Sequence, residues 1–94
     1  IAKIVNADNV NKSNKLLKLQ VEVGEFKKQI IAGIAQSYSP NDLINKNVVI
    51  VNNLKPTKLF GEVSEGMILA VEDKDGKLNV IEVSENVKSG TEVK

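Results

Sequence analysis

Strand-like runs of hydrophobic residues occupy the first third of the chain, and one of them has the two-residue period of a half-buried β-strand. The alternation is clearest between Lys15 and Val23, where leucine or valine occupies every second position from residue 17 to residue 23. Strand-like runs also cover Ile1 to Ala7 and Phe26 to Ala32. The pair Gly24-Glu25 separates the second run from the third, so we predict a hairpin between them.

A short helix is predicted after the third strand. Ser39 can cap its N-terminus, Pro40 suits the first helical position, and Asp42 can reach back to the cap as in a capping box. Leu43 and Ile44 follow as the residues that pack inward. The pattern predicts one or two turns that plug one end of a sheet.

The second half of the chain contains shorter strand signals. The β-branched run Val48 to Val51 does not alternate and predicts a strand buried on both sides. Two further runs, Met67 to Glu72 and Leu78 to Val83, predict a second hairpin whose turn lies at residues 73–77. We also predict a loop over Asn52 to Gly61 and an edge strand over Thr91 to Val93.

This order of elements indicates an all-β fold. Five short strands with a helix between the third and the fourth are typical of a Greek-key barrel of the oligonucleotide-binding type, the OB-fold. An SH3-like barrel would not have a helix at that place. With 94 residues, the whole chain 1–94 is predicted to form one domain.

Composition excludes several kinds of chemistry. The chain has neither His nor Cys, which removes zinc sites, thiol nucleophiles and triads that need an imidazole. Of its acidic residues, Asp73 and Asp75 lie in a turn and Glu62 and Glu65 flank a polar loop, where solvation explains them, so we expect no catalytic residue, no metal and no cofactor. Apolar runs are too short to span a membrane, and no signal peptide is present, which predicts a cytoplasmic protein. The chain opens on Ile1 without Met, as an excised fragment would.

Charge is distributed unevenly along the sequence. Residues 1–60 carry nine lysines and four acidic residues, a net charge of +5, whereas residues 61–94 carry four lysines and eight acidic residues, a net charge of −4. Such segregation suits a polyanionic partner held on one side. All the basic residues are lysines, so phosphates would be bound by point charges and not by bidentate guanidinium groups.

One segment concentrates groups that suit RNA. Residues 52–61 read Asn-Asn-Leu-Lys-Pro-Thr-Lys-Leu-Phe-Gly, and residues 64–67 read Ser-Glu-Gly-Met. Ammonium, amide and hydroxyl groups can contact phosphate and sugar oxygens, and in an OB-fold this region borders the binding face. The same composition also fits a solvated turn in which Asn and Pro serve backbone geometry, and chemistry alone leaves both interpretations open.

Residues 53–61 and 64–67 resemble the signature of the tRNA-binding domain at the C-terminus of bacterial methionyl-tRNA synthetases. The same domain type occurs in structure-specific tRNA-binding proteins and in endothelial monocyte-activating polypeptide II. Similarity extends to residues 15–19, 29–35 and 38–40, so it covers nearly the whole chain in the expected order. It implies a non-catalytic module that binds tRNA and is joined to a synthetase catalytic domain in a longer chain.

By this resemblance, the tRNA-contacting residues are Asn53, Lys55, Lys58, Ser64 and Met67. Lysines would hold phosphates, Asn53 and Ser64 would form hydrogen bonds to sugar or backbone groups, and Met67 would make an apolar contact or pack beneath the site. With one Tyr and two Phe, the chain lacks an aromatic stacking platform, so we expect weak, salt-sensitive binding by shape and backbone. Residues 10–14 depart from the family's pattern, and no contact is carried over there.

A second hypothesis is structural. The family resemblance also implies that the domain could join two synthetase chains as a homodimer, or act as a protein-interaction domain like the family's chaperone-like members. These two roles are compatible with tRNA binding, since a dimer would present two RNA sites.

Overall fold

The structure is a computed structural model that describes residues 1–11, 13–52 and 55–94. These residues form an all-β fold, as predicted. In chain order the strands are β1 (Ala2–Asn9), β2 (Leu17–Val23), β3 (Phe26–Ala32), β4 (Asn47–Val48), β5 (Ile50–Val51), β6 (Thr57–Leu59), β7 (Glu62–Ser64), β8 (Met67–Ile68), β9 (Ala70–Glu72), β10 (Leu78–Val80) and β11 (Glu82–Val83).

The largest sheet has five strands in the order β11, β4, β1, β2, β3, and every neighbouring pair is antiparallel. Its centre consists of β1, β2 and β3, of which β2 and β3 form the predicted hairpin. Leu19 of β2 pairs with Ala7 on one side and with Ile30 on the other. The alternating residues of β2 therefore place their apolar side chains on one face of this sheet.

The hydrophobic core lies against that face. Its fully buried side chains come from β1 to β4 and from the segment after β3, and the largest are Ile4, Leu17, Leu19, Ile30, Leu43, Val21 and Val48. Burial of a Leu or Ile side chain contributes about 1.5–3 kcal/mol to the free energy of folding. In a chain with few aromatic residues, these aliphatic side chains supply most of the apolar driving force.

The predicted helix is a single 3-10 turn, Pro40–Asp42. One half of the predicted capping box is formed, because the N–H of Ser39 donates to the Asp42 carboxylate at 3.1 Å. The N–H of Asp42 donates instead to the backbone carbonyl of Ser39, at 3.0 Å. The turn ends at Leu43, whose side chain is buried in the core. Among the described residues, no helix is long or apolar enough to cross a membrane.

Three predicted strands are each interrupted at one residue, and the three interruptions meet. Val49 donates its N–H to the carbonyl of Ile81 at 3.0 Å, Ile81 donates to Leu69 at 3.0 Å, and Leu69 donates to Val49 at 2.9 Å. This ring of backbone hydrogen bonds satisfies the groups that the ladders leave unpaired at these residues. It divides the predicted strands into β4 and β5, β8 and β9, and β10 and β11, so the predicted hairpin survives as β9–β10.

Two predictions are wrong. The segment Asn52 to Gly61 is not a simple loop, because β6 occupies Thr57–Leu59 and pairs with β7. The tail Thr91 to Val93 is not a strand. The N–H of Gly90 donates to the carbonyl of Ile1 at 2.7 Å, and the amine of Ile1 donates to the carbonyl of Thr91 at 2.7 Å. These two hydrogen bonds hold the tail beside the start of β1 without forming a ladder.

The hydrogen-bonded ladders do not close into a barrel. They form the five-stranded sheet and three separate two-stranded sheets, β5–β8, β6–β7 and β9–β10. The outer edge of β3 instead meets residues 64 and 65 largely through side chains. The predicted five-stranded Greek-key barrel is therefore not confirmed as such, although the all-β class is.

Candidate nucleic-acid interface

The hairpin β6–β7 carries most of the predicted RNA-contacting segment. Leu59 pairs with Glu62, so only Phe60 and Gly61 form its turn. Both turn residues have positive φ, 50° for Phe60 and 82° for Gly61, which is the pattern of a type I′ turn. Glycine adopts this conformation at no steric cost, whereas a bulky side chain is strained there. A two-residue turn of this type has a backbone twist that matches the right-handed twist of the two strands it connects.

The base of this hairpin is fixed to the edge of β3. Ile31 donates its N–H to Ser64 Oγ at 3.0 Å, and Gln29 donates its N–H to Glu65 Oε1 at 3.0 Å. The backbone N–H of Glu65 donates in return to the carbonyl of Gln29 at 2.7 Å. Gln29 also donates from its side-chain amide to the carbonyl of Val63 at 2.8 Å. Side chains of residues 64 and 65 thus replace the carbonyls of a missing strand partner.

Two lysines of the sheet hold the ends of the same segment. Lys28 Nζ lies 3.4 Å from the carbonyl oxygen of Asn52, where the chain leaves β5. Lys18 Nζ lies 3.5 Å from Glu62 Oε2, just after the hairpin turn. The first contact is an exposed hydrogen bond to a carbonyl, and the second is a partly exposed ion pair, of a kind that contributes about 0–1 kcal/mol. These lysines position the hairpin, a role that the charge pattern did not predict.

A cavity of about 300 Å³ lies between the hairpin, the β3 edge and the start of β8. Three of the predicted RNA-contacting residues, Lys55, Ser64 and Met67, line it. The other lining residues, Ile31, Thr57, Leu59 and Gly66, make its wall largely apolar. Met67 is 54% exposed, so it is available at the surface and is not a core residue. The cavity combines an apolar wall with one lysine.

Lys58 does not line this cavity. Thr57 and Leu59 do, and side chains alternate along a strand, so Lys58 and its cross-strand partner Val63 lie on the opposite face of the hairpin. Lys55 and Lys58 therefore present their charges on two sides of the same protrusion. Asn53, the remaining predicted residue, lies outside the described residues.

Ser64 is buried, with 6% of its surface exposed. Its hydroxyl accepts from Ile31 and donates to the carbonyl of Gly66 at 3.0 Å. The donor of the hydroxyl and one acceptor position are thus used inside the protein. The structure gives Ser64 a positioning role for the cavity wall, and its contact with RNA stays a prediction.

Gly66 completes the wall because no side chain fits at its position. A Cβ atom there would lie 2.9 Å from the carbonyl oxygen of Val51 and 3.5 Å from the side chain of Ile30. The first distance is shorter than a van der Waals contact, so glycine allows the chain to pass against β5 on its way into β8. The Ser-x-Gly-Met motif is thus partly explained by packing.

Several residues at this site were not singled out in the sequence. Leu59 and Thr57 line the cavity only because β6 is a strand, and the signal was the alternation around Phe60-Gly61, with Gly at the second turn position. Ile31 depends on long-range packing and had no local signal. Among the described residues, no group of His, Cys, Asp and Glu side chains could hold a metal ion.

Comparison with known proteins agrees with this geometry. The chain is 46% identical to the methionine–tRNA ligase of Methanocaldococcus jannaschii over 94 residues, which are 100% of the chain but 14% of the ligase. In structure it is similar to the MetRS related protein from Pyrococcus horikoshii, with a TM-score of 0.92, 37% identity and coverage of 98% of this chain and 84% of that one.

A further structural neighbour is the chaperone CsaA from Bacillus anthracis, with a TM-score of 0.88 and 26% identity, covering 99% of this chain and 86% of that one. The aligned residues make up 14% of that ligase, so this chain spans only a small part of the length of the relative. Residues 1–92 match the family model described as a putative tRNA binding domain, and the chain belongs to that family.

Proposed function

We propose that this chain is a non-catalytic tRNA-binding module, one OB-type domain over residues 1–94, which serves as the cytoplasmic C-terminal appendage of a methionyl-tRNA synthetase. The observation that carries the proposal is the cavity beside β6–β7, where Lys55, Ser64 and Met67 of the tRNA-binding signature come together. Family membership and the match to a methionine–tRNA ligase support the same conclusion. In a full-length enzyme, the module would raise the affinity of the catalytic domain for its tRNA.

The proposed contacts are those of the signature. Lys55 and Lys58, both exposed, would each hold a phosphate on their own side of the hairpin. Met67 would supply an apolar contact from the cavity, and Ser64 would keep its wall in place and reach RNA from there. Asn53 would bind a sugar or backbone group. Lysines act as point charges, so the strength of binding should depend strongly on salt and little on base sequence.

A salt titration tests this proposal. We expect Lys55→Ala in the 94-residue chain to weaken tRNA binding and to reduce the slope of log K against log salt by about 0.7–0.9, because one phosphate contact is lost. Binding is measured by fluorescence anisotropy of labelled tRNA at several salt concentrations.

The matched control is Lys74→Ala, which removes an equally exposed lysine from the turn between β9 and β10. It should leave affinity and slope unchanged. If Lys55→Ala matches the parent chain in both quantities, Lys55 is not a phosphate contact. If the parent chain binds no tRNA, the proposed function itself is wrong.

Dimerisation is a further part of the proposal, drawn from the family resemblance. A homodimer of appendages would join two synthetase chains and present two RNA sites. Sedimentation equilibrium of the 94-residue chain across a range of concentrations measures it. A single monomeric species at all concentrations would show that these residues do not dimerise alone.

A second candidate function is favoured by the similarity to the chaperone CsaA. In that case, the exposed apolar side chains around β6–β7, among them Leu59, Val63 and Met67, would contact unfolded protein. Suppression of aggregation of a heat-denatured test protein distinguishes the two functions. Suppression by the parent chain that excess tRNA does not reduce would favour the chaperone function over RNA binding.

A further inference from the structure

The tip of the β6–β7 hairpin exposes an aromatic ring in an unfavourable backbone conformation. Phe60 is 66% exposed, and its φ of 50° lies in the left-handed region that non-glycine residues rarely adopt. Asn, Asp and Gly are the residues preferred at this position of a type I′ turn. Phe60 is therefore a poor choice for the turn itself, and strained residues of this kind cluster at functional sites.

The fold does not need the ring. Tyr38, in contrast, has a structural role. It packs against the core, and its hydroxyl accepts a hydrogen bond from the N–H of Val80 at 3.1 Å. Phe60 lies outside the core cluster, on a protrusion whose strands are held to β3 by Ser64. Single exposed aromatic rings are common on protein surfaces, and Phe26 is one, but Phe60 combines its exposure with a strained backbone conformation that Phe26 does not have.

The surroundings of the ring suit an unpaired nucleobase. Val63 and Leu59 are partly exposed beside it, and Lys58 lies two residues away on the same hairpin. Glu62, the acidic residue next to the turn, forms an ion pair with Lys18 at 3.5 Å, which offsets its negative charge near the tip. The tip thus joins an accessible aromatic face to an exposed lysine, the combination with which proteins stack a base and hold its phosphate.

We propose that Phe60 stacks on an unpaired base of the bound RNA, while Lys58 contacts a neighbouring phosphate. The inference rests on the proposed function, since it assumes an RNA partner. It changes the expected mode of recognition, because one base is then read by its exposed face in addition to the RNA backbone. Duplex regions, whose bases are already stacked, would not offer this contact.

The first test is Phe60→Asn, which separates the turn from the contact. Asparagine suits positive φ, so the melting temperature should stay the same or rise. Affinity for tRNA should fall about 5- to 150-fold, the range expected for loss of one stacked base, while the salt slope stays unchanged. Phe60→Tyr should keep most of the parent affinity.

The chain also provides a matched control. Phe26 is 71% exposed on β3 in ordinary extended backbone. Because Ser64 lies beside Ile31 and Glu65 beside Gln29, the hairpin tip points towards the end of β3 that is remote from Phe26. Phe26→Asn removes an equally exposed ring and should leave tRNA affinity unchanged.

A spectroscopic test follows from the absence of Trp in the sequence. In Phe60→Trp, the new side chain is the single tryptophan, and stacking on a base should quench its fluorescence. We expect quenching by tRNA and none by a blunt-ended RNA duplex of equal charge, even where low salt makes that duplex bind.

Three outcomes would overturn the inference. Equal affinity of Phe60→Asn and the parent chain would show that the ring makes no contact. A drop in melting temperature that parallels the loss of affinity would give Phe60 a structural role. If Phe60→Asn converts a dimer to a monomer, the ring contacts a second copy of this chain and not RNA. If the parent chain binds tRNA with a normal salt slope in each case, only this inference fails and the proposed function stands.

Discussion

The two hairpins of the second half differ in how their turns are stabilised. In β9–β10, the carboxylate of Asp73 accepts the N–H groups of Asp75 and Lys77, each at 3.0 Å, and Asn79 donates to it at 3.4 Å. In β6–β7, the turn has an exposed Phe60 at positive φ. The first turn is satisfied by its own polar residues, whereas the second depends on attachments at its base.

The difference separates local folding from function. Residues 73–77 are typical turn formers, and their conformation follows from local hydrogen bonds. The shape of β6–β7 is imposed by β3 through Ser64 and Glu65, which leaves its tip free to carry side chains that the turn would not select. A hairpin fixed at its base and strained at its tip is suited to binding.

The largest effect is expected where β6–β7 is joined to the rest of the molecule. Gly66→Ala would place a Cβ 2.9 Å from the carbonyl oxygen of Val51, a backbone atom that cannot turn away. We expect the free energy of unfolding to fall by about 3 kcal/mol, with a parallel loss of tRNA affinity, measured by urea denaturation and anisotropy.

The control for this substitution is Gly33→Ala. Its new Cβ would meet only the end of the Leu16 side chain, at 4.0 Å, which is an ordinary contact. Gly33→Ala should therefore leave the free energy of unfolding nearly unchanged, whereas Gly66→Ala should lower it. Equal stability of both variants would mean that the segment entering β8 shifts freely and does not fix the hairpin.

A smaller loss is expected for Ser64→Ala. It leaves the N–H of Ile31 and the carbonyl of Gly66 without their partner, at a cost of about 2 kcal/mol. Hydrogen exchange should show faster exchange at Ile31 and little change in the β9–β10 turn. Ser84→Ala, which removes an exposed serine, should alter neither; protection at Ile31 equal to that of the parent chain would refute the anchoring role.

The smallest effect is expected in the β9–β10 turn and should depend on pH. The N–H of Lys77, with further donors from Asp75 and Asn79, lowers the pKa of Asp73 below its ordinary value of 3.8. The stabilisation is therefore present above that value and is lost as the pH falls through the lowered pKa of the folded state.

Asp73→Asn tests this by removing the charge while keeping an acceptor. Its melting temperature should be a little lower than that of the parent chain at pH 7, and the difference should shrink as the pH falls below 3.8 and vanish below the lowered pKa of the folded state. Affinity for tRNA should not change. A difference that grows at acid pH would contradict the assigned sign, and a loss of RNA binding would extend the interface to this second hairpin.

The sequence predicted those parts of the molecule that local rules control. Strand-like runs predicted β1, β2 and β3, with the hairpin of β2 and β3, and residue preferences predicted the contact of Asp42 with Ser39 and the β9–β10 turn. The breaks at Val49, Leu69 and Ile81 arise where three distant segments meet, so no local pattern contains them. The hairpin β6–β7 was missed because its strands have three residues each and its turn breaks the usual preference.

The candidate site divides in the same way. The resemblance identified Lys55 and Met67, which do meet at one cavity, because a shared motif preserves residues that act together in space. It could not reveal that Lys58 lies on the other face of the hairpin, since that depends on strand register. It also could not separate Ser64, whose hydroxyl is bonded within the protein, from the exposed residues of the motif.

The capped edge of β3 also bears on solubility. An unpaired strand edge is a template for the addition of a strand from another molecule, and it leads to aggregation unless it is covered. Here the N–H groups of Gln29 and Ile31 are already occupied by Glu65 and Ser64. The same two side chains that hold the hairpin β6–β7 thus prevent a strand of another molecule from pairing at these positions, and their loss would favour self-association of the protein through β3.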